Sequence, residues 1–141
     1  RLLACRPAGP SAAIPRILEL RAAQTALTIR RVLSFDGVAT VVDDIWLPGS
    51  VFRGLTLDVL TANRGPLYGL FETQFGVSMV RADEKLRAVA ASSEIADLLG
   101  IAAGAPLLQV DRVSYTYGGR PMEVRRGTYL TNHFHYRNSL N

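Results

Sequence analysis

Two stretches in which apolar and polar residues alternate, each doubled back at a glycine-bearing turn, commit this chain to a sheet built from hairpins. In LTIRRVLSF (27–35), Leu27, Ile29, Arg31, Leu33 and Phe35 share one side of an extended chain. After Asp36 and Gly37, the run VATVVDDIWLP (38–48) returns with Ala39, Val41, Asp43, Ile45 and Leu47 on one side. A period of two around an Asp-Gly turn is a hairpin pattern. The more apolar face of each strand carries one charge, Arg31 in the first and Asp43 in the second. A two-residue turn pairing Phe35 with Val38 would set those faces on opposite sides of the sheet. A three-residue loop with Gly37 left-handed, closed by a bulge, joins them, and the joined apolar face favours the bulge. Arg31 and Asp43 are then expected on one side, placed to pair or to hold a ligand jointly.

The second doubled run, VDRVSYTYGGRPMEVRRGTYL (110–130), turns at Gly118 and Gly119. With those two residues as the turn, Tyr117 meets Arg120, Tyr115 meets Met122 and Val113 meets Val124 on an apolar face. Arg112, Ser114, Glu123 and Arg125 gather on the other face, which is either a solvated back or the floor of a binding site.

Between the hairpins, PLYGLFETQF (66–75) puts Leu67, Leu70, Phe71 and Phe75 at helical spacing, with Pro66 at the start and Gly76 at the stop. VSMVRADEKLRAVAA (77–91) reads as a strand, and Ser92 or Ser93 caps a helix over EIADLL that Gly100 closes. A short helix is expected from Ser11 to about Leu20 despite Pro15. Residues 1–10 read as a linker, with Pro7, Gly9 and Pro10 opposing regular structure, and a last strand is expected near His133 to Leu140. Hairpins covered by a few helices give an α+β fold with a largely antiparallel sheet.

A chain of 141 residues, 48% apolar and 20% charged, is one domain and needs no staple. The single cysteine, Cys5, can form no internal disulfide, and no apolar run approaches the ~20 residues that cross a bilayer. Starting on Arg1 without a signal sequence, the chain reads as a fragment of a longer cytoplasmic protein. Its fifteen arginines and one lysine against 12 acids leave a net charge of +4, but the basic residues are scattered among Asp and Glu rather than clustered as in a nucleic-acid clamp.

Catalytic motifs for phosphate cradling, dinucleotide binding and the hydrolase nucleophile elbow are missing. His133 and His135 supply two metal ligands at most, with no acidic residue beside them, so neither a metal nor a cofactor is expected. What remains is a set of charges able to face inward: Arg31, Asp43, Glu123 and Arg125. Buried charges need partners, which they can find in one another or in a polar or anionic small molecule.

LLGIAAGAPLLQVDRVSYTYGGRPMEVRRGTYL, with WLPGSVFRGL and PLYGLFETQFG before it, resembles the UTRA domain, the effector-binding module of HutC-type GntR transcriptional regulators. The shared motifs are P-L-L-x-V-x-R, a turn, P-M-E, and an L-Y helix. The resemblance implies a chorismate lyase-like fold over 11–141, a small effector bound between sheet and helices, and a homodimer. It also implies DNA contact only through an N-terminal winged helix-turn-helix of roughly 70 residues upstream. Arg31 would match the first arginine of the family's R-x-R strand, Asp43 a glutamate, Glu123 the Glu after Pro, and Tyr129 a ligand-lining tyrosine. Leu33 replaces the second arginine and Pro66 a ligand-binding serine, which removes phosphate donors and points to an organic acid or other small metabolite rather than a sugar phosphate. The expected site is Arg31, Asp43, Glu123, Arg125 and Tyr129, and the expected mechanism is a population shift passed through the dimer. Competing readings are a chorismate lyase-like enzyme and a dimerisation module with a vestigial cleft.

Overall fold

The computed structural model describes residues 1–8 and 13–140. The first hairpin forms as β2 (Ala26–Phe35) and β3 (Val38–Pro48), but its bulge is not where the sequence suggested. Asp36 (φ 51°) and Gly37 (φ 77°) make a two-residue turn that pairs Phe35 with Val38. The register then slips, from Ser34 opposite Ala39 to Leu33 opposite Val41, and Thr40 is the extra residue. Buried Thr40 donates its hydroxyl to the Val38 carbonyl (2.9 Å) and accepts at its own carbonyl from the Leu130 N–H (2.8 Å). Tertiary partners at Thr40 therefore place the bulge, and Arg31 still lands opposite Asp43.

The remaining strands are β1 (Leu2–Pro7), β4 (Arg81–Ala90), β5 (Pro106–Tyr115) and β6 (Pro121–Tyr129), and the single antiparallel sheet runs β1-β2-β3-β6-β5-β4. Residues 2–7, expected as linker, are an edge strand whose Cys5 and Pro7 lie opposite Ile29 and Leu27. An edge tolerates Pro7 because one side of its backbone needs no ladder partner. Gly9, Pro10 and the expected helix cap Ser11 lie outside the described residues. In the second hairpin Val113 does face Val124, but Tyr115 faces Pro121 rather than Met122. Pro121 has no N–H for the ladder and sits at the slip, so the turn widens and closes through Thr116 N–H to the Arg120 carbonyl at 2.9 Å. Tyr117 is exposed there and leaves the apolar face.

Helices divide between the two faces. Leu57–Ala62 (α2) and Leu67–Phe75 (α3) cover one end of the face that carries Ile29, Ile45 and Leu47, and Phe52, Leu60, Leu70 and Phe71 complete that core. The sequence reading missed α2, a six-residue helix whose local signal is Thr56, whose hydroxyl accepts from the Val59 N–H. On the opposite face, Ser93–Leu99 (α4), capped by Ser92 and ended by Gly100 at φ 68°, packs Ala96 and Leu99 on Val32 and Val42. Ala13–Ile17 (α1) ends before the expected Leu20, and Leu18 just beyond it packs on Ala26 and Val124. Residues 133–140 form no strand; Phe134 instead lays its ring on Phe35, 5.2 Å between centroids.

Candidate functional site

The α2/α3 layer covers only part of its sheet face. Beyond it the register aligns Arg31, Asp43, Gly127 and Val110 across four strands, with Arg125, Arg112 and Glu84 in the next row. Arg31 Nε donates to Asp43 Oδ2 at 2.8 Å, and Arg125 Nη1 lies 3.6 Å from the same oxygen. Arg125 Nη2 donates to Glu123 Oε2 (2.7 Å), while Glu123 Oε1 accepts from the hydroxyl of Tyr68 on α3 (2.7 Å). The Tyr68 oxygen also lies 2.9 Å from Ser114 Oγ, and its ring lies under the Arg125 guanidinium, 5.4 Å away. Asp43, Ser114 and Glu123 are buried, so the row that was either a solvated back or a binding-site floor is, at Ser114, Glu123 and Arg125, a buried and paired floor, with Arg112 partly exposed at its margin.

Burial opposes the charge on Arg125, but Glu123 and Asp43 outweigh it and raise its pKa. Burial, reinforced by Glu123, raises the pKa of Tyr68; burial, reinforced by Asp43, raises that of Tyr129. At neutral pH the floor thus consists of charged arginine and protonated phenols. Arg125 Nε is buried without a hydrogen-bond partner.

Next to this floor a cavity of about 170 Å³ opens under residues 131–137, lined by Glu84, Val110, Arg112, Tyr129, Phe134 and Tyr136 among others. Of the five residues expected in a site, Tyr129 lines it. Arg31, Asp43, Glu123 and Arg125 lie together beside it, paired with one another, and meet it where Arg125 stands opposite Arg112. Arg112 donates to Glu84 Oε2 at 2.9 Å, and Tyr136 donates its hydroxyl to Glu84 Oε1 at 2.8 Å, clasping the C-terminal segment to the sheet edge. Sequence reasoning overlooked Tyr68, Glu84 and Tyr136; Arg112 stood in the charged row but not in the expected site. His133 and His135 diverge: His135 lines this cavity and His133 a separate hollow beside Phe35. Among the described residues no group of three metal-ligating side chains forms.

Two expected outcomes arise here. A Cβ at Gly127 would sit 2.5 Å from Tyr129 Cε2, so the Tyr129 ring lies directly over this glycine. Gly127→Ala should cost roughly 1–3 kcal/mol in urea unfolding, and the loss should largely vanish when Tyr129 is also alanine. Glu84 titrates below its ordinary range because hydrogen bonds from Tyr136 and Arg112, with the Arg112 charge, outweigh the burial that opposes ionisation. A depressed folded-state pKa gives stability that is present above the unfolded pKa and lost as pH falls through the folded one. Tyr136→Phe should shrink that acid-side loss, read as a smaller drop in unfolding midpoint from about pH 5 to about pH 3.

The opposite face uses its charges differently. Arg30 pairs with Asp44 and Glu94, and Arg126 with Asp111, in partly exposed bridges.

A sequence model of the UTRA domain matches residues 1–135. The ligand-binding domain of a protein assigned to the GntR family of transcriptional regulators in Bordetella bronchiseptica is 70% identical, with a TM-score of 0.96 over all of this chain and 89% of that one. An HTH-type transcriptional regulator of Mycobacterium tuberculosis, Rv0792c, is 35% identical over 112 residues, which cover 77% of this chain and 41% of the regulator. PhnF from Mycobacterium smegmatis shares the fold at 22% identity, with a TM-score of 0.87 over all of this chain and 61% of PhnF. The chain therefore spans about two fifths of the curated regulator it matches. With a six-stranded antiparallel sheet, helices on both faces and a family match running from Arg1 to His135, the chain belongs to the UTRA domain family.

Proposed function

We propose that this chain is the effector-binding and dimerisation domain of a GntR-type transcriptional regulator. It would act in the cytoplasm and contact DNA only through a separate winged helix-turn-helix. Arg31, Asp43, Glu123, Arg125 and Tyr129 form the effector site, and a bound metabolite shifts the domain between conformations that its dimer passes to the DNA-binding heads. The observation that carries this reading is the buried chain of charges from Arg31 through Asp43 and Arg125 to Glu123, set directly beside a cavity. Such a floor is pre-organised: it fixes donors and acceptors without any free group to break bonds. Glu123, which an enzyme reading would use as an acid, has Oε1 held by Tyr68 and Oε2 by Arg125. The regulators among its relatives point the same way. No helix among the described residues is long and apolar enough to cross a membrane.

The test uses the full-length regulator on its operator fragment, followed by fluorescence anisotropy. An effector that stabilises this domain should change operator affinity by about 5- to 150-fold, and Arg31→Ala, which removes the cation that holds Asp43 in the floor, should abolish the change. A regulator that binds its operator identically with and without every stabilising metabolite would leave a dimerisation module instead.

A further inference from the structure

We infer that the cavity under residues 131–137 accepts a small, flat, largely apolar guest with a single carboxylate, and refuses phosphorylated compounds. This rests on the effector-site reading above and names its ligand class. The reason lies in the charge balance of the floor. Arg31, Arg112 and Arg125 face Asp43, Glu84 and Glu123, three cations against three anions, each already in an ion pair. An arginine-rich floor suggests a phosphate site, but Arg112, the floor arginine that lines the cavity, is held by Glu84, and Arg125 beside it by Glu123 and Asp43. A dianion could draw on Arg112 only in competition with Glu84, and on Arg125 only in competition with the buried Glu123 and Asp43.

What the cavity does offer is apolar surface and one unclaimed cation. Leu108 and Val110 form its base, and Tyr129, Phe134 and Tyr136 present rings around it. Flat guests gain most from such a slot, by stacking against ring faces and aliphatic side chains. Arg137 lines the same cavity and forms no ion pair among the described residues. One guanidinium on the C-terminal side of the slot, facing a charge-balanced floor, suits one carboxylate. At about 170 Å³ the space fits a single ring with a short substituent.

The 141-residue chain can be tested by thermal shift with benzoate, its neutral isostere benzamide, inorganic phosphate and glucose 6-phosphate at matched ionic strength. Benzoate should raise the melting temperature saturably, benzamide should bind about tenfold more weakly, and the two phosphates should produce no saturable shift. Arg137→Ala, a change at an exposed position, should bring benzoate down to the level of benzamide and leave benzamide unchanged. Stabilisation by glucose 6-phosphate but not benzoate would overturn the ligand class while leaving the effector-site reading intact. Equal binding of benzoate to wild type and Arg137→Ala would overturn the role of that cation. Absence of a saturable shift with both benzoate and benzamide would overturn the inference, and the operator assay above would still decide the wider reading with other metabolites.

Discussion

Replacing Arg125 with alanine is expected to destabilise the chain by roughly 3–5 kcal/mol in urea unfolding, among the largest single effects available outside the apolar core. Arg125 bridges two carboxylates, Glu123 at 2.7 Å and Asp43 at 3.6 Å, that are otherwise shut away from water. Removing it leaves both carboxylates short of positive charge. Asp43 keeps Arg31, and Glu123 keeps only neutral donors. The penalty comes from stranding buried charge rather than from losing a strong bond, so neutralising Arg125 and Glu123 together should recover most of it. The double variant Arg125→Met, Glu123→Gln, which keeps the Arg31–Asp43 pair, should lie much nearer wild type than Arg125→Ala does. Arg31→Ala should cost less than Arg125→Ala, because Arg31 serves only Asp43, which keeps Arg125, whereas Arg125 serves both Asp43 and Glu123. A loss below about 1 kcal/mol for Arg125→Ala would mean that water reaches the floor.

The second large effect is Phe71→Ala, expected to cost about 3–5 kcal/mol. Phe71 is fully buried, packs edge-on against Phe52 at 4.8 Å and lies 6.1 Å from the Tyr68 ring. It therefore anchors the helix that delivers Tyr68 to Glu123. Hydrogen exchange should show the amides of α3 opening at lower free energy in Phe71→Ala, with α4 on the opposite face much less affected. Equal loosening of α3 and α4 would mean that the two layers melt as one unit and that Phe71 has no special hold on the site.

Much of this arrangement was legible in the sequence, for identifiable reasons. Period-two runs with glycine turns gave both hairpins, and charges at period-two positions singled out Arg31 with Asp43 on apolar faces and Glu123 with Arg125 on a charged one. Helix α3 announced itself through Pro66, Gly76 and its apolar stripe. What failed depended on distant partners. The bulge at Thr40 is fixed by Leu130, ninety residues away in sequence, and no local residue type marks it. Strand β1 exists because β2 offers it an edge, whereas its own Pro7 argues for a break. The tail near His133 to Leu140, expected as a strand, is instead held by side chains, Phe134 on Phe35 and Tyr136 on Glu84. Tyr68, Glu84 and Tyr136 join the site only once helix, sheet edge and tail are stacked, so nothing in their local sequence separates them from other polar surface.

The most direct measurement of the central claim is an amide NMR titration of the chain with benzoate, with the ligand's own spectrum recorded alongside. Saturable shifts should cluster at Asp43, Arg112, Gly127 and Tyr129 and along 131–137, and the benzoate recovered at the end should be chemically unchanged. Shifts confined to the opposite face, around Arg30, Asp44, Glu94 and Arg126, or conversion of the ligand to another compound, would contradict a site on this face that recognises a guest without transforming it.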